Sequence, residues 1–269
     1  MKSIKIAIVS AINIEYQAII SIMSHPKEKC TGYMVGKING VCCVATQSGI
    51  GALAVQRSVY DIMKKFKPKI LIYSGIAGSR NSAIKIGDVV VSGFVCAKNA
   101  IYFSPQSVLS QYDAIQFKKD NTYIDMTIIS GYKYLCKLAE KAGGIIGIIG
   151  TSDFYVESQQ WLETFNAVYH ADVGENEGIG FAYVSETFDI PFIIIRGISD
   201  SVYQPNSGSE SIGAQAAANV LKKMLCDITF NFSLERITIN DLSQISLGTT
   251  YGSVVSNDIS TIPPQITNK

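Results

Sequence analysis

Residues 191–200 have the sequence PFIIIRGISD, and this segment gives the clearest indication of the fold class. Its apolar centre, residues 192–195, shows no alternation with polar residues, so it predicts a strand that is buried on both faces of a sheet. Similar short apolar strands are predicted at residues 4–9, 70–73 and 145–149, with helical patterns between them. This alternation predicts an α/β fold, a single three-layer domain with a mixed, mostly parallel central sheet flanked by helices.

The remaining patterns complete this architecture. Asn39-Gly40 is a strong turn signal, and it predicts a hairpin between strands at residues 33–38 and 41–46. A further strand is predicted at residues 88–95. Helices are predicted at residues 15–23, 52–66, 132–142, 159–165, 178–188 and 214–226.

The composition indicates a large core and little net charge. Of the 269 residues, 47% are hydrophobic and 17% are charged, and the formal net charge is +1. A near-neutral chain lacks the electrostatic footprint of a protein that binds nucleic acid or an anionic membrane. No apolar run reaches the roughly 18–20 residues that cross a bilayer. We therefore expect no nucleic-acid partner and no membrane partner.

The chain has six cysteines and only two histidines, His25 and His170. The cysteines are scattered without CxxC spacing, which gives little support to zinc ligation or to a disulfide framework. We therefore expect neither a metal nor a cofactor. Free thiols are typical of a reducing compartment, so a cytoplasmic location is expected.

The composition changes after Cys226. Residues 227–269 are rich in Ser, Thr, Asn and Ile and poor in Ala and Gly. The sequence therefore predicts a domain at residues 1–226, followed by a C-terminal extension at residues 227–269 whose role is unknown. A swapped arm, a partner-binding segment and a partly disordered linker all stay open for this extension.

Polar residues collect at the ends of three predicted strands, at residues 74–80, 151–157 and 196–200. Loops at the carboxyl ends of parallel strands are the usual ligand positions in such folds. A lone GxG, residues 49–51, precedes the helix at residue 52, and its amides can hold an anion or a ribose oxygen. A simple strand-to-helix turn explains that GxG equally well.

Carboxylates are the main acid–base candidates, because histidine is scarce. Glu15 follows the first strand, Glu175 and Glu177 open a helix, and Asp200 ends the most hydrophobic strand. Helix capping is the alternative for each, since an acid in a first turn stabilises the helix by some tenths of a kcal/mol. Their joint placement after different strands favours a shared site.

Together these segments resemble the nucleoside phosphorylase superfamily and, within it, the methylthioadenosine/S-adenosylhomocysteine nucleosidases. The resemblance runs from about residue 5 to residue 225. The GIAGSR and RGISD wording is also similar to nucleosidase domains of signalling and immune proteins. The resemblance is carried by the first strand with Glu15, QSGIGALAVQ at 47–56, SGIAGSRNSAIKIGDVVVS at 74–92, ENE at 175–177 and RGISD at 196–200.

The resemblance implies an N-ribosyl hydrolase that splits an adenine nucleoside into free adenine and a ribose derivative. Asp200 is expected to protonate, or hydrogen-bond to, N7 of the purine, and Glu15 to activate the attacking water. Glu177 is expected to hold the ribose hydroxyls as the sugar becomes oxocarbenium-like. A catalytically weak sensor or interaction module is the alternative from another class, and the intact acids argue against it.

The resemblance also implies a substrate-binding set. Tyr155 is expected to stack on the base, with the core as its alternative position, and the backbone of Val156 to contact the edge of the base. Arg196 is expected to orient carboxylates or loops, and Ser199 to hold Asp200. The remaining members of the set are Ile76, Glu175 and Asn176.

Phosphorolysis is the competing reaction. Phosphorylases of the hexameric type carry an arginine where this chain has Tyr73 and a serine where it has Ile76, and both changes remove phosphate ligands. Water is therefore the favoured nucleophile, although Arg57 and Arg80 stay open as replacement ligands for phosphate.

Asn176 replaces the usual methionine and makes the ribose floor more polar. The 5′ substituent of the substrate (methylthio, homocysteine, hydroxyl or phosphate) therefore stays open. The family that this sequence resembles is commonly dimeric. The high share of hydrophobic residues, 47%, also agrees with a homodimer or higher homo-oligomer.

Overall fold

The computed structural model of the chain describes residues 4–97, 128–152, 171–201, 203–204 and 209–243. It also describes the strand backbones within residues 101–125. The predicted helix at residues 159–165 lies outside the described residues.

Fourteen strands and five helices occur in these ranges. The strands are β1 Ile6–Ser10, β2 Ser24–Cys30, β3 Tyr33–Ile38, β4 Val41–Gln47, β5 Ile70–Ser79, β6 Val89–Ala97, β7 Ile101–Ser104, β8 Ser107–Gln111, β9 Gln116–Lys119, β10 Thr122–Asp125, β11 Ile128–Ser130, β12 Ile145–Thr151, β13 Val173–Glu175 and β14 Phe192–Ser201. The helices are α1 Asn13–Ser21, α2 Ala52–Phe66, α3 Lys133–Lys141, α4 Gly178–Thr187 and α5 Glu210–Met224. None of these helices is long and apolar enough to cross a membrane.

Ten of the strands form one mixed sheet that closes on itself. From the β2 edge, the order is β2, β3, β4, β1, β5, and the path continues through β13, β12 and β6 to β11. Strand β14 pairs with both β5 and β6, so β5, β13, β12, β6 and β14 form a closed ring. The α/β class and the mixed sheet are confirmed. The flat three-layer arrangement is corrected, because a closed ring has an inside and an outside in place of two open faces.

The sheet is also less parallel than predicted. Among the described strands of this sheet, five pairings are parallel and five are antiparallel. The two strands that close the ring explain part of the difference. Strand β14 runs antiparallel to β6, and β13 runs antiparallel to β5.

The predicted hairpin is confirmed as β3 and β4. Asn39 and Gly40 both have positive φ angles, 48° and 81°, as a two-residue turn that matches the twist of the strands requires. Strand β2 was not predicted. All seven of its residues are exposed, so it carries no apolar alternation, and its charges and proline are typical of an edge strand.

The strands near the polar clusters are longer than the sequence predicts. Strand β5 continues to Ser79 and β14 continues to Ser201, so most of the polar cluster at residues 74–80 and all of that at 196–200 belong to strands and not to loops. The two strands pair in parallel, with Arg196 opposite Gly75. Residues 192–195 are fully buried, as predicted.

Residues 227–243 pack onto the domain. Ile237 and Leu242 are buried in the main core. Arg236 makes a two-pronged ion pair with Glu186 near the end of α4, at 2.7 and 2.9 Å, and its guanidinium lies 3.7 Å from the ring centre of Tyr132. The predicted boundary between residues 226 and 227 stays a prediction, but the first part of the extension contributes to the packed structure.

Candidate active site

A cavity of about 450 Å³ lies beside β5, near the ends of β1, β13 and β14. Its size is in the range of small-molecule sites. The cavity is lined by all four predicted carboxylates, Glu15, Glu175, Glu177 and Asp200. The sequence-based expectation that separate motifs meet at one site therefore agrees with their placement.

Glu15 is the third residue of α1 and is buried. Its Oε2 accepts hydrogen bonds from the amides of Ala11 and Ile12, at 2.7 and 3.0 Å. Its Oε1 accepts one from the amide of Ile76, at 2.8 Å. Glu15 thus caps its helix, as the alternative reading had it, and three amides also fix its carboxylate at the cavity wall.

Gly75 permits a close approach at this point. A Cβ atom on residue 75 would lie 2.4 Å from Glu15 Oε1 and 2.5 Å from Arg196 Nη1. Both contacts are far shorter than real Cβ atoms show, and both groups are buried. Glycine is therefore the residue that lets Glu15 and Arg196 meet across β5.

Arg196 is fully buried and joins three carboxylates. Its Nη2 donates to Glu175 and, at 3.2 Å, to Glu177, while Nη1 lies 3.9 Å from Glu15 Oε1. Its guanidinium carbon lies 4.3 Å from the ring centre of Tyr73. Burial opposes the charge of Arg196, but Glu175, Tyr73, Glu177 and Glu15 outweigh this and raise its pKa.

Glu175 is held from several sides. Besides Arg196, its carboxylate accepts the hydroxyl of Thr151 and the amides of Glu177 (3.0 Å) and Gly178 (2.7 Å). These amides lie at the start of α4, so Glu175 fixes the end of the helix that presents Glu177.

Glu177 connects α4 to the start of α2. Its Oε1 accepts the amide of Gly51 at 2.8 Å, and its Oε2 contacts Arg196. The Gly51 amide, a predicted anion or ribose ligand, is therefore already engaged by a carboxylate. Burial raises the pKa of Glu177, Arg196 lowers it, and Glu175 and Glu15 raise it further, with a net increase.

Asp200 lies on β14 beside Ser199, whose hydroxyl donates to Asp200 Oδ2 at 2.7 Å. A Cβ atom on Gly78 would lie 2.7 Å from Asp200 Oδ1, so glycine leaves room for this carboxyl group. Asn176 lines the same cavity and donates from its side chain to the carbonyl of Ser152. Ile76 lines the cavity, and its amide is the one that donates to Glu15.

The structure adds residues that sequence reasoning did not single out. Thr151 and Gly75 were part of noted motifs, but their contacts depend on strand pairings that no local pattern reveals. Arg80 lines the cavity, whereas the side chain of Arg57 is 79% exposed and pairs with Asp61. Tyr155 and Val156 lie outside the described residues. Among the residues that are described, no group of His, Cys, Asp or Glu is arranged to hold a metal ion.

The family model of the phosphorylase superfamily matches residues 5–228 of this chain. A 5′-methylthioadenosine/S-adenosylhomocysteine nucleosidase of Listeria welshimeri is 31% identical over 215 residues, which cover 74% of this chain and 87% of that protein. One from Actinobacillus succinogenes is 26% identical over 239 residues, covering 86% and 99%.

Solved structures show the same fold. The nucleosidase of Neisseria meningitidis, in complex with methylthio-immucillin-A, superposes with a TM-score of 0.70 at 20% identity, covering 84% of this chain and 100% of that one. Futalosine hydrolase of Helicobacter pylori superposes with a TM-score of 0.67 at 20% identity, covering 83% and 98%.

The chain therefore belongs to the phosphorylase superfamily. Within it, the chain falls among the 5′-methylthioadenosine/S-adenosylhomocysteine nucleosidases and is an N-ribosyl hydrolase. The predicted family and enzyme class are confirmed.

Proposed function

We propose that this nucleosidase hydrolyses the bond between ribose C1′ and N9 of adenine nucleosides, with 5′-methylthioadenosine and S-adenosylhomocysteine as substrates. The observation that carries the proposal is the convergence of Glu15, Glu177 and Asp200 on one cavity, with Arg196 holding the first two. Water adds its oxygen to C1′ as the bond to N9 breaks. One proton passes from the water to Glu15, and another reaches the departing base.

Asp200 is proposed as the acid at the base. A proton on N7 turns adenine into a better leaving group, because the negative charge left on the base is neutralised. Ser199 donates a hydrogen bond to Asp200 Oδ2 and thereby holds the carboxyl group, and Oδ1, which lies on the side of Gly78, is proposed to carry the proton. This hydrogen bond supports an acid that is held in one orientation at the cavity.

Glu15 is proposed as the base that orients and deprotonates the water. Its three amide donors prevent the carboxylate from rotating, so the position of the attacking water is defined before the reaction starts. Arg196, which contacts both Glu15 and the carbonyl of Ile76, is proposed to orient this carboxylate and not to touch the base.

Glu177 is proposed to accept hydrogen bonds from the ribose hydroxyls, and Glu175 to support it. As C1′ becomes positively charged, hydrogen bonds from the sugar to a buried carboxylate strengthen, which stabilises the transition state more than the ground state. Tyr155 and Val156 remain proposed base contacts. The more polar floor that Asn176 gives the ribose leaves adenosine as the next substrate to test.

Water, and not phosphate, is proposed as the nucleophile. Tyr73 stands where hexameric phosphorylases carry an arginine, and the wall that holds Glu15 is already lined with carboxylates, which repel an anion. Arg57, one of the two arginines considered as a replacement phosphate ligand, is exposed to solvent and forms an ion pair with Asp61.

A homodimer in the cytoplasm is also proposed. Ile50 and Leu53 are 69% and 81% exposed, and Ile50 lines the cavity, so a second copy that covers them would also narrow the mouth of the site. All six cysteines lie within the described residues as free thiols, which agrees with a reducing compartment.

The deciding experiment measures the products of a purine nucleoside and nucleotide panel, with and without inorganic phosphate. Adenine and a free sugar, at a rate that phosphate does not raise, are expected. Asp200→Asn should reduce adenine release by at least about a hundredfold, whereas Asp61→Asn, a change on the outer face of α2, should leave it unaltered. A sugar 1-phosphate product would refute hydrolysis, and near-normal turnover by Asp200→Asn would refute the role of the acid.

A further inference from the structure

Tyr73 lies at the base of the site and is fully buried. It stands on β5 opposite Val9 of β1 and Ile194 of β14. The ring of Phe181, on α4, packs against it in an edge-to-face arrangement, with 5.3 Å between ring centres and an angle of 62°. The ring of Tyr73 is therefore held between three elements and has little freedom to turn.

The face of this ring supports the guanidinium of Arg196, at 4.3 Å from ring centre to guanidinium carbon. A cation over an aromatic face is attracted to it, and the attraction is strongest where water is excluded. Arg196 Nε has no hydrogen-bond partner among the described residues, so that edge of the guanidinium is not fixed by a polar contact. The aromatic face is therefore a major restraint on its tilt.

The tilt of the guanidinium matters because the two terminal nitrogens of Arg196 contact different carboxylates. Nη1 faces the carbonyl of Ile76 and the carboxylate of Glu15, whereas Nη2 faces Glu175 and Glu177. A rotation that improved one set of contacts would lengthen the other. The relative position of the water-activating Glu15 and the ribose-binding Glu177 thus depends on the orientation of the guanidinium plane of Arg196.

We propose that Tyr73 is a positioning residue: its buried ring sets the plane of Arg196 and, through it, the relative placement of Glu15 and Glu177. This role of Tyr73 rests on the proposed function, the hydrolysis of adenine nucleosides. The aromatic face of Tyr73, and not its hydroxyl, holds the guanidinium of Arg196 in place. The hydroxyl of Tyr73 has no hydrogen-bond partner within the described chain, so phenylalanine would lose no hydrogen bond to those residues.

The test compares Tyr73→Phe, which keeps the aromatic face, with Tyr73→Leu, which removes it. Phe192→Leu is the matched control, since Phe192 is equally buried and packs on Phe181 but does not contact Arg196. The measurements are kcat and KM for adenine release from 5′-methylthioadenosine across pH, together with the thermal midpoint of each variant.

Tyr73→Phe should keep kcat within about twofold of the wild type, and Tyr73→Leu should lower kcat about tenfold or more. The acidic limb of kcat/KM in Tyr73→Leu should also move to higher pH. Burial raises the pKa of Glu177, Arg196 and the Gly51 amide lower it, and Glu175 and Glu15 raise it further, so a displaced Arg196 leaves this pKa higher. Tyr73 is a further titratable group beside this cluster. Phe192→Leu should lose thermal stability without either kinetic change.

Equal kinetics for Tyr73→Leu and Phe192→Leu would overturn the proposal. A crystal structure of Tyr73→Leu in which Arg196 keeps its contacts with Glu15 and Glu177 would overturn it as well, whatever the activity. A wild-type protein that releases no adenine would instead refute the proposed function, and the crystal structure would still decide whether Tyr73 positions Arg196.

Discussion

The hydroxyl of Ser199 donates a hydrogen bond of 2.7 Å to Oδ2 of its chain neighbour Asp200. Consecutive residues of a strand normally point to opposite faces, so a contact between their side chains needs an irregular backbone. Strand β14 provides one, because its register against β5 shifts between Ile198 and Asp200. The irregularity turns the proposed acid toward the cavity and brings its partner with it.

Ser199→Ala should lower kcat about tenfold and leave KM nearly unchanged. The hydrogen bond holds Asp200 without contacting the substrate, and a loss of about 1.4 kcal/mol corresponds to a factor of ten. Steady-state kinetics of adenine release measure the effect. Ser82→Ala, on an exposed turn, is the control. An unchanged kcat would mean that Asp200 is positioned by other contacts.

Glu177→Gln should abolish most activity while the protein stays folded. Burial raises the folded-state pKa of Glu177, so its ionisation costs stability as the pH rises through that value, and at pH 7 a neutral glutamine avoids this cost. Against this, the glutamine NH₂ would face one of the two donors to Glu177, the Gly51 amide or Arg196, so the free energy of unfolding in urea should fall by about 1–3 kcal/mol.

Glu175→Gln is the contrasting change. Its amide NH₂ would face the amides at the start of α4 that now donate to the carboxylate, so this variant should unfold more easily than Glu177→Gln. If Glu177→Gln were the less stable of the two, the assignment of a supporting role to Glu175 and a sugar-binding role to Glu177 would fail.

Ile237→Ala should destabilise the protein by about 2–5 kcal/mol, the usual cost of emptying a buried isoleucine site. Ile237 is 3% exposed and lies in the extension that follows residue 226. Leu234→Ala, at a position that is 61% exposed, should change stability by less than about 0.5 kcal/mol. Similar small effects at both positions would show that residues 227–243 are not packed on the domain in solution.

Leu53→Glu should shift the proposed dimer toward monomer, since a buried charge without a partner opposes association. Sedimentation velocity gives the assembly state directly. Leu234→Glu supplies the matched change on another exposed leucine. A Leu53→Glu protein that sediments like the wild type would remove α2 from the proposed dimer interface.

The sequence predicted most elements because their signals are local. Helix α2 has the predicted bounds, and Asn39-Gly40 placed the hairpin correctly, because backbone conformation at a tight turn depends on the two residues themselves. The ring closure was not predictable in the same way. It depends on β14 pairing with both β5 and β6, and strands so far apart in sequence carry no mark of their partners.

In the candidate site, too, local signals revealed the residues but not their contacts. The four carboxylates that line the cavity were predicted as candidates, because acids that follow apolar strands or open helices are recognisable in a sequence. The shared arginine was expected to orient carboxylates, but its three partners and the platform under it follow from the register of Arg196 with Gly75 and Ile194 with Tyr73. Register is a property of the paired strands, and neither strand specifies it alone.

The closed ring has a consequence for how the protein opens. Strands β5 and β14 carry Gly75, Arg196 and Asp200, and each has a hydrogen-bonded neighbour on both sides, whereas β2 forms an edge. Amide hydrogen exchange should therefore be slowest in β5 and β14 and fastest in β2, because ring strands lose their bonds only when several neighbours separate together. Arg196 and Asp200 would then be among the last residues to lose their geometry as the protein unfolds.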